Sequence, residues 1–508
     1  MSVVIDGKNL TVGEVISVAA DGAKVSLSNE AEAAVKKAAD YVDRKLSEGA
    51  IIYGITTGFG KFSEAYISRE EAAKLQKNLI VSHACAMGSP LPEKTVRAAM
   101  LLRCNALARG NSGITPRTLH TLVDMLNKGV HPVIPEKGSL GASGDLAPLA
   151  HMVLPMIGLG AAEYKGEILP GSEAMKKAGI PIVELAAKEG LALINGTQIM
   201  TAIGLIVLWE TKSLAKLADI TAAMTAEALL GITKAFDAKV HILRNQKGQQ
   251  EAADNLRRLL EGSQNAKETN PNKIQDPYSL RCIPQIHGAS RDAINYVYEI
   301  VSREINAVTD NPLIFPDEDE IISGGNFHGQ PLALAFDFLK TAIAEYADVS
   351  ERRTERLVNP QLSDGLEPFL TKHGGVCSGF MITQYSAASM VSENKIYAHP
   401  ASVDSITSSG NQEDHVSMGT TAARTAALIL DNAQKVLGIE LFAASQAIWL
   451  RGEKGLSGAI GAAYDFIRKS VAPVDEDIVM HDELVKFDAM VKDGSLVAAV
   501  ESVTGELY

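Results

Sequence analysis

Apolar residues recur at intervals of three and four along most of this chain, and alternating apolar–polar runs are scarce. From Ser28, a helix-capping residue type, Val35, Ala38, Val42 and Leu46 share one helical face until Gly49 stops the pattern. Residues 2 to 12 read as a short strand and turn. Helical spacing fills roughly 69–126 and dominates from residue 190, with helices predicted at about 284–306, 330–357, 378–397, 419–450 and 457–468. No repeat of fixed period occurs. The pattern predicts a mainly α fold with a small mixed α/β N-terminal part. The expected division is an N-terminal part over 1–190 and a bundle of long helices with further C-terminal helices over 191–508.

Three stretches interrupt or overfill the pattern. Ile51 to Phe62 holds Gly54, Gly58 and Gly60, which makes a continuous helix or strand unfavourable and predicts a loop. Pro132 and Pro135 lead into a second glycine-rich loop at 138–144, and about forty residues rich in Gly and Pro follow it. Gly190 to Trp209 is twenty residues without a charge, long enough to span a bilayer. It contains Asn195-Gly196-Thr197-Gln198, costly in lipid, and no Lys/Arg cluster flanks it. A buried helix continuing through Ser213 to Phe236 fits better than a membrane span. Residues 246–276 are polar and are expected to run over the surface.

Composition narrows the classes of function. The chain has 508 residues, 46% hydrophobic and 21% charged, with a net charge of −13 and a pI near 5.4. This is ordinary for a soluble globular protein. It lacks the basic stripe of a nucleic-acid binder, so no nucleic-acid partner is expected. Four scattered cysteines suggest neither a disulfide frame nor a zinc site. The closest two of the eleven histidines are His120 and His131, and no metal-binding spacing occurs, so no metal is expected. The start shows no signal-peptide pattern, and a cytoplasmic location is expected.

The candidate chemistry centres on Gly138-Ser139-Leu140-Gly141-Ala142-Ser143-Gly144-Asp145-Leu146-Ala147-Pro148-Leu149-Ala150-His151. Asp145 and Leu146 stand where a phosphate-binding loop needs Lys and Ser or Thr. Within it, Gly144 has no Cβ to block a tight bend, so its amide nitrogen could attack the Ala142 carbonyl. Loss of water, then of the Ser143 hydroxyl, would leave a five-membered ring with an exocyclic methylene. An isolated Ala-Ser-Gly is most often a plain loop. Other segments concentrate polar groups: Asn195-Gly196-Thr197-Gln198, Gln275-Asp276-Pro277-Tyr278-Ser279-Leu280-Arg281-Cys282, Gly324-Gly325-Asn326-Phe327-His328-Gly329 and Gly410-Asn411-Gln412-Glu413-Asp414-His415-Val416-Ser417-Met418-Gly419. Read alone, Tyr53 is a core aromatic, His83 a satisfied core histidine, Arg281 a partner for an acid, and Asn411 with its following acids a solvated helix N-terminus.

Together these segments, in order and at similar spacing over about 2–500, resemble the aromatic amino acid ammonia-lyases and aminomutases. That family builds a methylidene-imidazolone (MIO, 4-methylidene-imidazole-5-one) from an internal Ala-Ser-Gly. The resemblance implies a long-helix core shared with the fumarase and aspartase group, and a homotetramer whose active sites draw on three subunits. It implies MIO formation from Ala142, Ser143 and Gly144, with Tyr53 as base in a Tyr-Gly-x-x-Thr-Gly-Phe-Gly loop. Arg281 would hold the substrate carboxylate, Asn195 and Tyr278 would support the electrophile and developing charge, and Gln275, Phe327 and Gln412 would shape the pocket.

Within the family, Ser82-His83 is similar to the pair of the histidine and tyrosine branches. Glu413 is similar to the histidine branch alone. A carboxylate there can accept an imidazole N–H but would stand unpaired against a phenyl ring. Met381 fits the same branch as an apolar wall. Thr56, where the histidine branch more often has Asn, resembles the tyrosine or phenylalanine branch. The expected activity is elimination of ammonia from L-histidine to trans-urocanate, the first step of histidine degradation, with this small molecule as partner and no membrane. The alternatives are a tyrosine ammonia-lyase or aminomutase, and a non-catalytic helical scaffold.

Overall fold

A computed structural model describes residues 2–52, 56–58, 67 and 69–508. Helices dominate, as the spacing predicts, and the small strands gather chiefly in the N-terminal region. The helices at Ile283–Glu304, Gln330–Val358, Met381–Tyr397, Gly419–Leu450 and Gly458–Arg468 fall within a few residues of the expected bounds. The Asn29–Ser47 helix is capped by Ser28, whose side chain accepts from Ala31 N–H. Among the described residues, no helix is long and apolar enough to cross a membrane.

The chain forms two compact units, each assembled from three segments. One comprises 1–206, 298–336 and 400–424; the other comprises 207–297, 337–399 and 425–508. In the first unit, Ser2–Ile5 pairs in parallel with Lys24–Leu27. Val130–Pro132 pairs antiparallel with the first strand of the Ala161–Tyr164/Glu167–Pro170 hairpin. The helices Glu93–Ala108 and Pro116–Lys128 bury apolar residues in this unit. In the second unit, Phe442 lies between Phe380 and Phe487, with ring centroids 4.6 and 5.0 Å away.

Two local expectations are corrected. The uncharged stretch from residue 190 is not one helix. The Glu189–Ile194 helix ends, Asn195–Thr197 turns, and a new helix runs over Gln198–Ala228, with Phe236 in a separate short turn. Apolar composition alone could not reveal that break, because Asn, Gly and Thr are three residues in a long hydrophobic context. The polar stretch 246–276 does not simply trail over the surface: Lys247–Leu259 is a helix that buries Gly248, Ala252, Ala253, Leu256 and Leu259 on one face. Its stripe mixes small residues with two leucines, which the surrounding Gln, Asn and Arg conceal.

The second unit also buries charge in satisfied networks. Arg353 meets Glu440 through two bonds of 2.5 and 2.9 Å, both residues fully buried, and Thr225 Oγ1 donates to the same carboxylate at 2.7 Å. His287 is fully enclosed, with Nδ1 2.7 Å from Asp219 and its ring edge-on to Tyr346. Burial pushes the His287 pKa below the ordinary 6.5, with Asp219 acting against the shift and Arg353 and Arg291 reinforcing it.

Glu440→Ala leaves the Arg353 guanidinium buried without its partner and is expected to cost about 3–5 kcal/mol in urea unfolding; a loss within error of zero contradicts the pairing. His287 is neutral when folded, whereas the unfolded chain takes up the proton at the ordinary pKa. Its contribution is therefore present above pH 6.5 and lost as pH falls through the lowered folded value. The thermal midpoint should fall on acidification below that pH, and less steeply in His287→Gln.

Candidate active site

The Gly138–Asp145 loop is fixed by a single buried carboxylate. Asp145 directly precedes the Leu146–Val153 helix but does not cap it. Its Oδ2 accepts from Met200 N–H at 2.8 Å, near the start of the Gln198–Ala228 helix. Its Oδ1 accepts from Ser139 Oγ at 2.8 Å and from Thr420 Oγ1 at 2.5 Å, the latter near the start of the Gly419–Leu450 helix. Asp145 N–H donates to Gly196 O at 2.7 Å. Burial pushes the Asp145 carboxyl above its usual range, and the donors from Thr420, Met200, Ser139 and Ile199 act against that rise. The loop thus rests on the positive ends of two long helices.

Glycine is required where this loop touches its neighbours. Gly144 has φ +71°, and a Cβ there would lie 2.1 Å from Gly196 O. Gly141 has φ +68°, and a Cβ would lie 2.1 Å from Ser417 Oγ, which itself donates to Gly141 O at 3.0 Å. Met418 N–H closes the other side on Leu140 O at 2.8 Å. Between the two glycines, Ala142 is buried while Ser143 stays half-buried, so the serine is the member of the tripeptide presented outward.

Ser143 Oγ donates to Glu413 Oε1 at 2.8 Å across 270 residues of sequence. Glu413 is set by a two-residue ladder with Ser408 after a turn in which Ser409, Gly410 and Asn411 all have positive φ. The Asn411 segment is therefore a tight turn and not a helix N-terminus, and the helix that follows begins at Gly419, as its spacing predicts. His83, half-buried at the end of the Arg69–His83 helix, has its Nδ1 3.1 Å from Ser82 Oγ. Burial lowers its pKa below 6.5, while the Leu79 carbonyl and the Glu413 carboxylate pull it back.

Asn195 is buried, its Oδ1 without a hydrogen-bond partner among the described residues. Phe327 is half-buried in the turn closed by His328 N–H on Gly325 O at 2.9 Å. That turn abuts the loop's supports: a Cβ on Gly329 would lie 2.5 Å from Met200 Sδ and 3.1 Å from Ser417 Oγ. Gln412 is exposed beside Glu413. The first unit thus carries Ala142, Ser143, Gly144, His83, Asn195, Phe327, Gln412 and Glu413.

The second unit carries the remaining described candidates. Tyr278 is 69% exposed, and the Arg281 guanidinium stands 4.7 Å over its ring. Gln275 is exposed, and Met381 opens the Met381–Tyr397 helix half-buried. Tyr53 lies outside the described residues.

The profile of the aromatic amino acid lyase family matches residues 10–469. The chain belongs to that family. It is 59% identical to the histidine ammonia-lyase of Alkaliphilus metalliredigens, covering 99% of each chain. It superposes on the histidine ammonia-lyase of Trypanosoma cruzi with a TM-score of 0.92 at 39% identity, covering 99% of this chain and 96% of that one. The tyrosine aminomutase of Streptomyces globisporus superposes at 0.96 with 36% identity, covering both chains fully. Backbone likeness therefore does not separate the branches of this lyase family, and side chains must.

Thr56 has a local role on that question. Its hydroxyl donates to Ala50 O at 2.9 Å and accepts from Ile52 N–H at 2.8 Å, so it braces its own turn. The residues that sequence reading left without a role are Ser139, Asp145, Ser417 and Thr420. Asp145 adjoins the tripeptide, but its partners are 55 and 275 positions away, which no local pattern signals. Glu93, His131 and Glu163 form a cluster of metal-ligand type. Its imidazole Nε2 lies 3.0 Å from Arg97 Nη1 and its Nδ1 2.8 Å from Glu163. Arg97 can only donate, which keeps Nε2 an acceptor and places the ring proton on Nδ1, where a metal would have to bind.

Gly141→Ala combines positive φ with the Ser417 clash and is expected to disturb the loop that carries Ala142–Gly144, read as a lowered thermal midpoint. Gly141→Ala/Ser417→Gly should recover part of that loss, and no recovery removes Ser417 from the account.

Proposed function

We propose that this protein eliminates ammonia from L-histidine to give trans-urocanate, using a ring made from its own Ala142, Ser143 and Gly144. The observation that carries this reading is the Ser143–Glu413 bond, which sets a carboxylate against the outward member of the tripeptide. The tripeptide fits the ring: Gly144 holds a bend that no Cβ could enter, Ala142 is small and buried, and the buried Asn195 side-chain oxygen has no hydrogen-bond partner among the described residues. The MIO group supplies an electron-poor carbon that turns a poor leaving group into a better one.

The remaining chemistry falls to the chain. Elimination breaks the Cα–N bond and removes a β-proton, and the C–H electron pair becomes the new double bond. Tyr53 takes that proton, which requires a phenol made more acidic by neighbouring donors. Arg281 grips the substrate carboxylate through paired N–H groups. Asn195 and Tyr278 donate to charge as it develops. Loss of the Ser143 hydroxyl as water frees Glu413 Oε1, which then accepts the substrate imidazole N–H. Neutral His83 with Gln275, Phe327, Met381 and Gln412 completes the pocket.

Tyr278 and Gln275 stand exposed in the single chain, which supports a homotetramer whose sites combine residues of several subunits. The 59% identity to a histidine ammonia-lyase and Glu413 favour histidine over tyrosine. A cytoplasmic enzyme at the head of histidine breakdown fits the acidic composition.

Purified protein given L-histidine should produce the ultraviolet band of urocanate; coumarate from L-tyrosine in its place assigns the chain to the tyrosine branch. Ser143→Ala should lose both turnover and the near-ultraviolet absorbance of the ring. Glu413→Ala should lower kcat/KM for histidine by at least about a hundredfold while sparing any turnover of tyrosine. Equal losses on both substrates reject its role in selectivity.

A further inference from the structure

Arg103 is a fully buried cation on the Glu93–Ala108 helix that makes no ion pair among the described residues. Its acceptors are neutral. Nη1 donates to Asn195 O and to Gln198 Oε1, both at 2.9 Å, and Nη2 donates to Ala192 O. Gln198 Nε2 carries the chain of bonds on to Thr309 Oγ1 at 2.7 Å. Burial pulls the guanidinium pKa down to about 10, with Asp310 opposing from a distance. Asp310 itself is paired with Lys188 at 2.8 Å. Packing alone is met more cheaply by an apolar side chain of similar size, so a cation held by carbonyls calls for a reason.

The acceptors supply one. They span the break between the Glu189–Ile194 and Gln198–Ala228 helices, where the last carbonyls of the first helix have lost their intrahelical donors. One planar fork reaches two of those carbonyls and the first side chain of the next helix. Gly196 lies directly between this fork and the electrophile loop. A Cβ on Gly196 would sit 2.4 Å from Arg103 Nη1, 2.4 Å from Gln198 Oε1 and 2.7 Å from Thr309 O. On its other side, Gly196 O holds Asp145 N–H at 2.7 Å and occupies the space that a Gly144 Cβ would need. Arg103, Gly196 and Gly144 are thus stacked in contact.

We infer that Arg103 is the positioning residue for ring closure, holding Gly196 as the rigid stop against which Gly144 is bent toward Ala142. This rests on the cyclisation proposed above. In that reaction the Gly144 nitrogen bonds to the Ala142 carbonyl carbon. The carbonyl oxygen leaves as water with the Gly144 and Ser143 amide protons. The Ser143 Oγ then leaves as a second water with the Ser143 Cα proton. No oxidant is consumed. The bond-forming step needs the Gly144 nitrogen held close to a carbonyl that the extended chain would keep away, and a yielding stop at Gly196 would let it withdraw.

The test follows ring formation in freshly made protein by intact mass and near-ultraviolet absorbance, with thermal unfolding as the check on folding. Arg103→Lys keeps the charge but offers a single nitrogen in place of the fork. It should fold cooperatively yet gain the two-water deficit at least tenfold more slowly than the unsubstituted protein. Gln198→Ala, which removes one acceptor and leaves the guanidinium in place, should slow it by less, and it decides the matter should Arg103→Lys not fold. A folded variant of either kind that matures at the unsubstituted rate overturns the role of Arg103. Unsubstituted protein without the deficit overturns the cyclisation itself, a separate outcome.

Discussion

A carboxylate removed from water must be surrounded by donors, and Asp145 meets that demand by drawing on its own loop and two distant segments at once. Ser139, Met200 and Thr420 all donate to it. Because Met200 and Thr420 lie in the first turns of two long helices, the same bonds that satisfy the charge fix the Ala142–Gly144 bend at the positive ends of both. Neither the glycines nor the tripeptide could hold that geometry unaided, since a free glycine-rich loop samples many conformations. The charge needs the helices, and the loop inherits their rigidity.

The site occupies places where regular structure stops. Asn195 to Thr197 break an otherwise uncharged run, and Asn311 and Val308 brace the turn before Phe327. Glu413 follows a turn of three residues with positive φ. Each break exposes backbone groups that would be unsatisfied if buried, and each is answered by a polar side chain: Arg103 under the first, Asn311 and Asn326 in the second, Ser408 in the third. The second unit uses buried polarity differently. There the Arg353–Glu440 and Asp219–His287 contacts join separate helices, so they specify packing within that unit.

Substrate preference in this family rests on a few side chains carried by a common backbone, as the near-equal superpositions on a histidine ammonia-lyase and a tyrosine aminomutase require. Here the Glu413 carboxylate acts electrostatically on the His83 imidazole, and it is near enough to Ser143 to bond it. Thr56, the residue at odds with the histidine branch, directs its hydroxyl into its own turn.

The sequence by itself determined the helical class, most helix bounds in the C-terminal half and the tripeptide, because periodicity and a rare local motif are short-range properties. It also named the polar segments that carry the candidate site residues. Only the tertiary structure decided that Asp145 caps a helix other than its own, that residues 190–209 contain a break, and that Ser143 faces Glu413. Those facts depend on contacts between residues 55 to 275 positions apart, where nothing in the local pattern of either partner marks the other. Arg103 is the plainest case: in sequence it is one more cation on a helix, and its role arises only from the carbonyls that folding lays across it.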